Sequence, residues 1–144
     1  MKLLVINGPN LNLTGRRSPE VYGEDTLETI MGELYNYVES MGSEMFEIQT
    51  NHEGDIIDAL HAAMDSFDGV ILNAGAYTHY SYAIRDAIEA CGVPTVEVHL
   101  SDIHNREPFR ALSVIESVCI AQISGQGKKG YTLAAKLLLT RSMN

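Results

Sequence analysis

The chain alternates strand-like and helix-like segments from one end to the other, and no other feature limits its fold so sharply. Lys2–Ile6 is a continuous apolar run that stops at Asn7-Gly8-Pro9, as a strand buried on both faces of a parallel sheet does. From Leu27, apolar residues recur at Ile30, Met31, Leu34, Val38 and Met41, the stripe of a surface helix. Asp25 or Thr26 can cap its start and Gly42 can close it. Further strands are predicted at Met45–Gln49, Gly69–Leu72, Thr95–His99 and Val118–Ile123. Further helices follow from the stripes Ile56, Ile57, Leu60, Ala63, Met64, then Ile84, Ala87, Ile88, Cys91, and finally Leu133, Ala134, Leu137, Leu138.

Strand–helix units joined by short connections imply a parallel sheet covered by helices on both sides. Five units in 144 residues suit a flavodoxin-like, doubly wound, five-stranded parallel sheet, an α/β fold in one domain spanning residues 1–144. A TIM barrel would need eight units and about 250 residues. In open parallel sheets ligands bind beyond the carboxyl ends of the strands, where the strand order reverses. The segments after strands 1, 3 and 4 therefore hold the candidate site.

Charge narrows the ligand. Ten Lys and Arg stand against nineteen Asp and Glu, a net charge of −9, which argues against a nucleic-acid or anionic-membrane partner. Yet four arginines, Arg16, Arg17, Arg106 and Arg110, fall in the loops after strands 1 and 4, where an anionic metabolite could be held. Two cysteines, Cys91 and Cys119, make no disulfide framework. With no signal-peptide pattern and no apolar run of membrane length, a soluble cytoplasmic protein is expected.

The loop after strand 1 runs from Asn7 to Gly23, far longer than the usual strand-to-helix connection, and it carries Arg16, Arg17 and Tyr22. A guanidinium beside a phenol favours the phenolate, a credible base for a weakly acidic C–H. After strand 3, Asn73 stands at a strand end, and Thr78 or Ser81 can cap the next helix. His79 in that loop is by itself weak evidence. After strand 4, Glu97 and His99 are two apart and so share a face. A carboxylate beside an imidazole orients it and favours its protonated form, the usual preparation of a general acid. Backbone N–H groups around Leu100 and Ser101, with Arg106 and Arg110, offer a nest for a carboxylate.

Other patterns lead nowhere. His99 and His104 lack the spacing and acidic partners of a metal site. Gly125-Gln126-Gly127-Lys128-Lys129-Gly130 matches GxGxxG, but only fourteen residues follow it, too few for the second strand and acidic residue of a dinucleotide site. The glycines are better read as a tight strand-to-helix turn. Neither a flavin nor any other cofactor is indicated.

Together these segments resemble the type II 3-dehydroquinate dehydratases. The matching residues are Asn7-Gly8-Pro9-Asn10-Leu11-Asn12, Arg17, Tyr22-Gly23 and Asn51-His52-Glu53-Gly54, then Leu72-Asn73-Ala74-Gly75, Thr78-His79 and Arg85-Asp86. Glu97-Val98-His99-Leu100-Ser101, Arg106-Glu107, Phe109-Arg110, Ile123-Ser124-Gly125, Gly127 and Gly130-Tyr131 complete the set. The resemblance implies a cofactor-free, metal-free dehydration of 3-dehydroquinate to 3-dehydroshikimate in aromatic amino acid biosynthesis. It implies Tyr22 as base, Arg17 stabilising its phenolate, Asn10 positioning a water at the enolate, and His99 as acid oriented by Glu97. Substrate contacts implied are Asn73, His79, Leu100, Ser101, Arg106 and Arg110, with Asp86 reaching a neighbouring subunit's site. A homo-oligomer of trimers assembled into a dodecamer is also implied, with Arg17–Tyr22 as a mobile lid. The sequence departs from the family at Asp102, where many relatives carry Asn, at Asn105, where Ala is common, and at Pro108, which precedes Phe109 in an expected short helix; Asp102 brings negative charge near a carboxylate subsite unless it turns away. Another reading is a flavodoxin-like binding or regulatory protein that keeps the pocket without turnover. The presence of Arg17, Tyr22 and His99 together favours the enzyme. A Schiff-base alternative has no support, because Lys2, Lys128, Lys129 and Lys136 all lie outside the site loops.

Overall fold

A computed structural model describes residues 1–16, 20 and 25–141. Five strands, β1 (Lys2–Asn7), β2 (Glu44–Gln49), β3 (Gly69–Asn73), β4 (Thr95–Val98) and β5 (Ala121–Ile123), form one sheet in the order β2-β1-β3-β4-β5. Every pairing is parallel, and the order reverses between β1 and β3. The doubly wound α/β architecture expected from the alternation is the one observed.

The strands show why so apolar a run folds this way. Leu3 and Val5 face one core with Ile71, Val96 and Val98, while Leu4 and Ile6 face the other with Val70 and Leu72. Helices α1 (Leu27–Ser40) and α4 (Lys129–Arg141) cover the first face; α2 (Glu53–Ala63) and α3 (Tyr82–Cys91) cover the second. A strand between two apolar layers has no polar side to present, so its sequence loses the alternation of a half-exposed strand. Each fully buried Leu or Ile contributes about 1.5–3 kcal/mol.

The helix ends follow the predicted chemistry. Thr26 caps α1, its side chain accepting from Thr29 N–H. Gly42 closes α1 with the paired bonds of a Schellman motif, Gly42 N–H to Glu39 and Ser43 N–H to Val38. Of the two hydroxyls offered for α3, Ser81 is the cap: its Oγ accepts from Ile84 N–H at 3.0 Å and donates to Glu53 Oε2 at 2.6 Å, tying α2 to α3.

All five strands shift a boundary: β1 and β3 run one residue further, to Asn7 and Asn73, and β2 starts one residue earlier, at Glu44. β4 ends at Val98, with His99 just beyond it, still bonded through its N–H to Ile123. The last strand begins at Ala121 rather than Val118. Glu116–Val118 form a 3-10 turn, and Val118 and Cys119 pack against the α2–α3 core instead of extending the sheet. An apolar run cannot by itself distinguish sheet from turn when both lead to a core.

Candidate active site

The loops leaving β1, β3 and β4 enclose a cleft of about 660 Å³, open mouth included, at the carboxyl edge of the sheet. Pro9, Asn10, Leu11 and Thr14 line it from the first loop; Asn73, Gly75, Ala76 and His79 from the second; His99, Leu100, Ser101, Ile103, Arg106 and Arg110 from the third. The first two loops meet closely: Gly8 N–H donates to Asn73 O at 2.8 Å, and a Cβ on Gly8 would lie 2.8 Å from the Ala74 backbone. Only glycine permits that approach.

The cleft rests on a buried polar layer. Asn7 and Asn73 are register partners at the ends of β1 and β3. Between them stands the phenol of Tyr131, fully buried on α4, donating to Asn7 Oδ1 at 2.5 Å and accepting from Asn73 Nδ2 at 3.1 Å. Burial pushes this phenol well above its ordinary range, so it remains a neutral donor. Asn73 Oδ1 accepts from Gly75 N–H at 3.2 Å. Both ends of the Asn73 amide are thereby oriented before any ligand arrives. Asn10 opens the first loop in a left-handed conformation, φ 69°, with its N–H bonded to Asn51 Oδ1.

At the end of β4, Glu97 is fully buried and His99 nearly so. The His99 Nε2 and Glu97 Oε2 are 2.5 Å apart. Facing a carboxylate, Nε2 carries hydrogen, which leaves Nδ1 as the ring nitrogen for a ligand in the cleft. Glu97 also accepts from Ser113 Oγ at 2.9 Å and from Gln122 Nε2 at 3.0 Å. The carboxylate is thus solvated by protein donors, as a buried charge must be.

The next loop is pinned from the glycine-rich turn. Gly127 N–H donates to Leu100 O and Gly125 N–H to Ser101 O. Among the described residues no acceptor takes the N–H groups of Leu100 and Ser101, the state an anion nest requires. Arg106 Nη1 reaches Ser101 Oγ at 3.4 Å. Arg110 is held by Glu107 at 3.0 Å and stacks over Phe109. His79 Nδ1 donates to Leu112 O at 2.7 Å; burial, with the nearby His99 and Arg110 charges, moves its ring below the ordinary imidazole value despite that bond.

The structure thus brings together Asn10, Asn73, His79, His99, Leu100, Ser101, Arg106 and Arg110, with Glu97 directly behind His99. Asp86 is not among them: it is exposed on α3, away from the cleft lining. Arg17 and Tyr22 lie outside the described residues. Asp102 turns into its own loop, accepting from His104 N–H at 3.1 Å and from Asn105 Nδ2 at 2.5 Å. Asp102 and Asn105 therefore pair with each other. Sequence reasoning passed over Ser113 and Gln122 as partners of Glu97. A polar residue inside the short apolar strand around Gln122 was the available signal.

Among the described residues no lysine lines the cleft. Among the described residues no group of three or more His, Cys, Asp or Glu could hold a metal ion, and no helix is long and apolar enough to cross a membrane.

Comparison with known proteins places this geometry. The chain is 52% identical to a 3-dehydroquinate dehydratase of Bacillus licheniformis over 132 residues, 92% of this chain and 91% of that one. It is 53% identical to the enzyme of that name from Bacillus mycoides over 140 residues, 97% and 96% of the two chains. The crystal structure of a type II dehydroquinase from Butyrivibrio crossotus superimposes with a TM-score of 0.94 at 48% identity, covering 96% of this chain and 97% of that one. The model of the family described as Dehydroquinase class II matches residues 1–139, and the chain belongs to that family.

Proposed function

We propose that the protein is a type II 3-dehydroquinate dehydratase, a hydro-lyase that eliminates water from 3-dehydroquinate to give 3-dehydroshikimate in aromatic amino acid biosynthesis. The observation that carries this reading is the buried Glu97–His99 pair opening onto an arginine-bearing cleft in a chain of this family.

The elimination is stepwise and anti. The Tyr22 phenolate, favoured by Arg17, removes the proton alpha to the ketone, and the C–H electron pair moves onto the carbonyl oxygen as an enolate. Asn10 positions a water against that oxygen. The enolate then collapses, the carbon–oxygen bond to the tertiary hydroxyl breaks, and His99 delivers a proton so that water leaves. Glu97 keeps the imidazole oriented, which makes proton delivery directional. The substrate carboxylate is taken by the N–H groups of Leu100 and Ser101, the Ser101 hydroxyl and the Arg106 charge, while Asn73, His79 and Arg110 hold its hydroxyls. No step calls for a metal or an organic cofactor. Neither nucleic acid nor a membrane is a partner.

Asp86 completes the site of a neighbouring subunit in a homo-oligomer, trimers built into a dodecamer, and the enzyme works in the cytoplasm. Its exposure on α3, away from its own cleft, supports a role between subunits.

The two proton transfers can be separated. In deuterated water, His99→Ala should exchange the alpha proton of the substrate without releasing product, and Tyr22→Phe should do neither while still binding ligand. Normal turnover by Tyr22→Phe would remove Tyr22 as the base.

A further inference from the structure

The hydrogen bonding around Glu97 does not stop at the cleft. Glu97 and Gln122 are register partners across β4 and β5, and Gln122 Nε2 donates to Oε2, the same oxygen that faces His99. Gln122 Oε1 in turn lies 3.2 Å from Nε2 of His104, an exposed residue of the 3-10 turn Ile103–Asn105. A carboxylate oxygen accepts only, so the Gln122 amide must turn its NH₂ toward Glu97. Its oxygen then faces His104 and needs a donor, which requires hydrogen on His104 Nε2. The far tautomer would set two lone pairs against each other and drive the amide to flip, placing oxygen against the carboxylate.

We propose that Gln122 and His104 are positioning residues for the acid step, a relay from the protein surface that sets how tightly Glu97 holds the His99 proton. The proposal rests on the assignment of His99 as the acid. Gln122 shares the charge on Oε2 with His99, and His104 locks the amide in the sharing orientation. With the relay broken, Oε2 has one donor fewer and grips His99 Nε2–H harder, so the imidazole gives up protons to the leaving hydroxyl less readily. The groups facing this chain are Ser113 on Glu97 Oε1, Asp102 on the His104 backbone N–H, and His79 and Cys119 within electrostatic range of Glu97.

The test uses Gln122→Met, which keeps length and removes the amide, together with His104→Phe, an exposed change that spares the core. In the ligand-free protein, proton NMR of the His99 Nε2–H resonance should move downfield in Gln122→Met and by less in His104→Phe. In turnover, kcat should fall by roughly tenfold in Gln122→Met and severalfold in His104→Phe. KM and the rate of alpha-proton exchange should remain within about twofold of the parent. His104→Phe added to Gln122→Met should cost nothing more, because the relay is already cut. An unmoved His99 resonance, additive losses in the double variant, or a change confined to KM would each overturn the proposal. A parent protein without dehydratase activity would instead remove the functional reading, and the resonance alone would then decide the coupling.

Discussion

At the scale of single residues, the pairing of Glu97 with His99 was readable because a strand places residues two apart on one face, and the two side chains meet as that spacing requires. Their support was not readable. Gln122 reaches Glu97 through the register of β4 and β5, which no local pattern contains. Glu97→Gln should lower kcat by at least about tenfold with KM nearly unchanged, because a neutral amide holds the imidazole without stabilising its charge. Steady-state kinetics at saturating substrate checks it. Tyr131→Phe leaves Asn7 Oδ1 and Asn73 Nδ2 without their shared partner in the interior, at a cost of roughly 1–3 kcal/mol for each group left unsatisfied. The urea midpoint should fall accordingly with the m-value unchanged. His79 carries a pH signature. Its folded-state value is lowered, so the folded protein favours the neutral ring while the unfolded chain protonates near pH 6.5. Its contribution to stability is complete above that pH and is lost as pH falls from there through the lowered folded value. His79→Gln should flatten that part of the stability–pH curve; an unchanged slope would show that other groups govern it.

At the scale of elements, the alternation of segments predicted the sheet and all four described α-helices, because each helix has one apolar stripe and β1 and β3 each have two apolar faces, whereas β4 turns Val96 and Val98 to one core and the buried polar residues Thr95 and Glu97 the other way. The start of β5 was not legible, since Val118 and Cys119 reach a core from a turn as easily as from a strand. The glycine-rich segment was rightly read as a turn. Its second duty, gripping the loop after β4 through the N–H groups of Gly125 and Gly127, emerges only when the two segments are seen side by side. Gly125 has φ +76°, and a Cβ there would lie 3.1 Å from Asp102 Cβ. Gly125→Ala should therefore strain the turn, displace Ser101 and raise KM severalfold, with a stability loss of about 1–3 kcal/mol. A parent-like KM would mean that the anion nest does not depend on this clamp.

At the scale of the whole molecule, an excess of nine negative charges coexists with a cleft that presents Arg106 and Arg110. Net charge describes the chain as a whole, while the placement of Arg106 and Arg110 brings cationic side chains to the cleft. The sheet order explains why loops remote in sequence converge: reversal between β1 and β3 opens the crevice that both borders line. Association into an oligomer, which would bring Asp86 to a neighbour's cleft, is checked by sedimentation; a monomer with full activity would remove that role. The most direct test of the whole account is to give the purified protein 3-dehydroquinate and follow ultraviolet absorbance, because elimination creates a conjugated enone. Absorbance should rise at a rate that EDTA leaves unchanged and that His99→Ala abolishes. No rise, or a rise that requires an added metal, would contradict it.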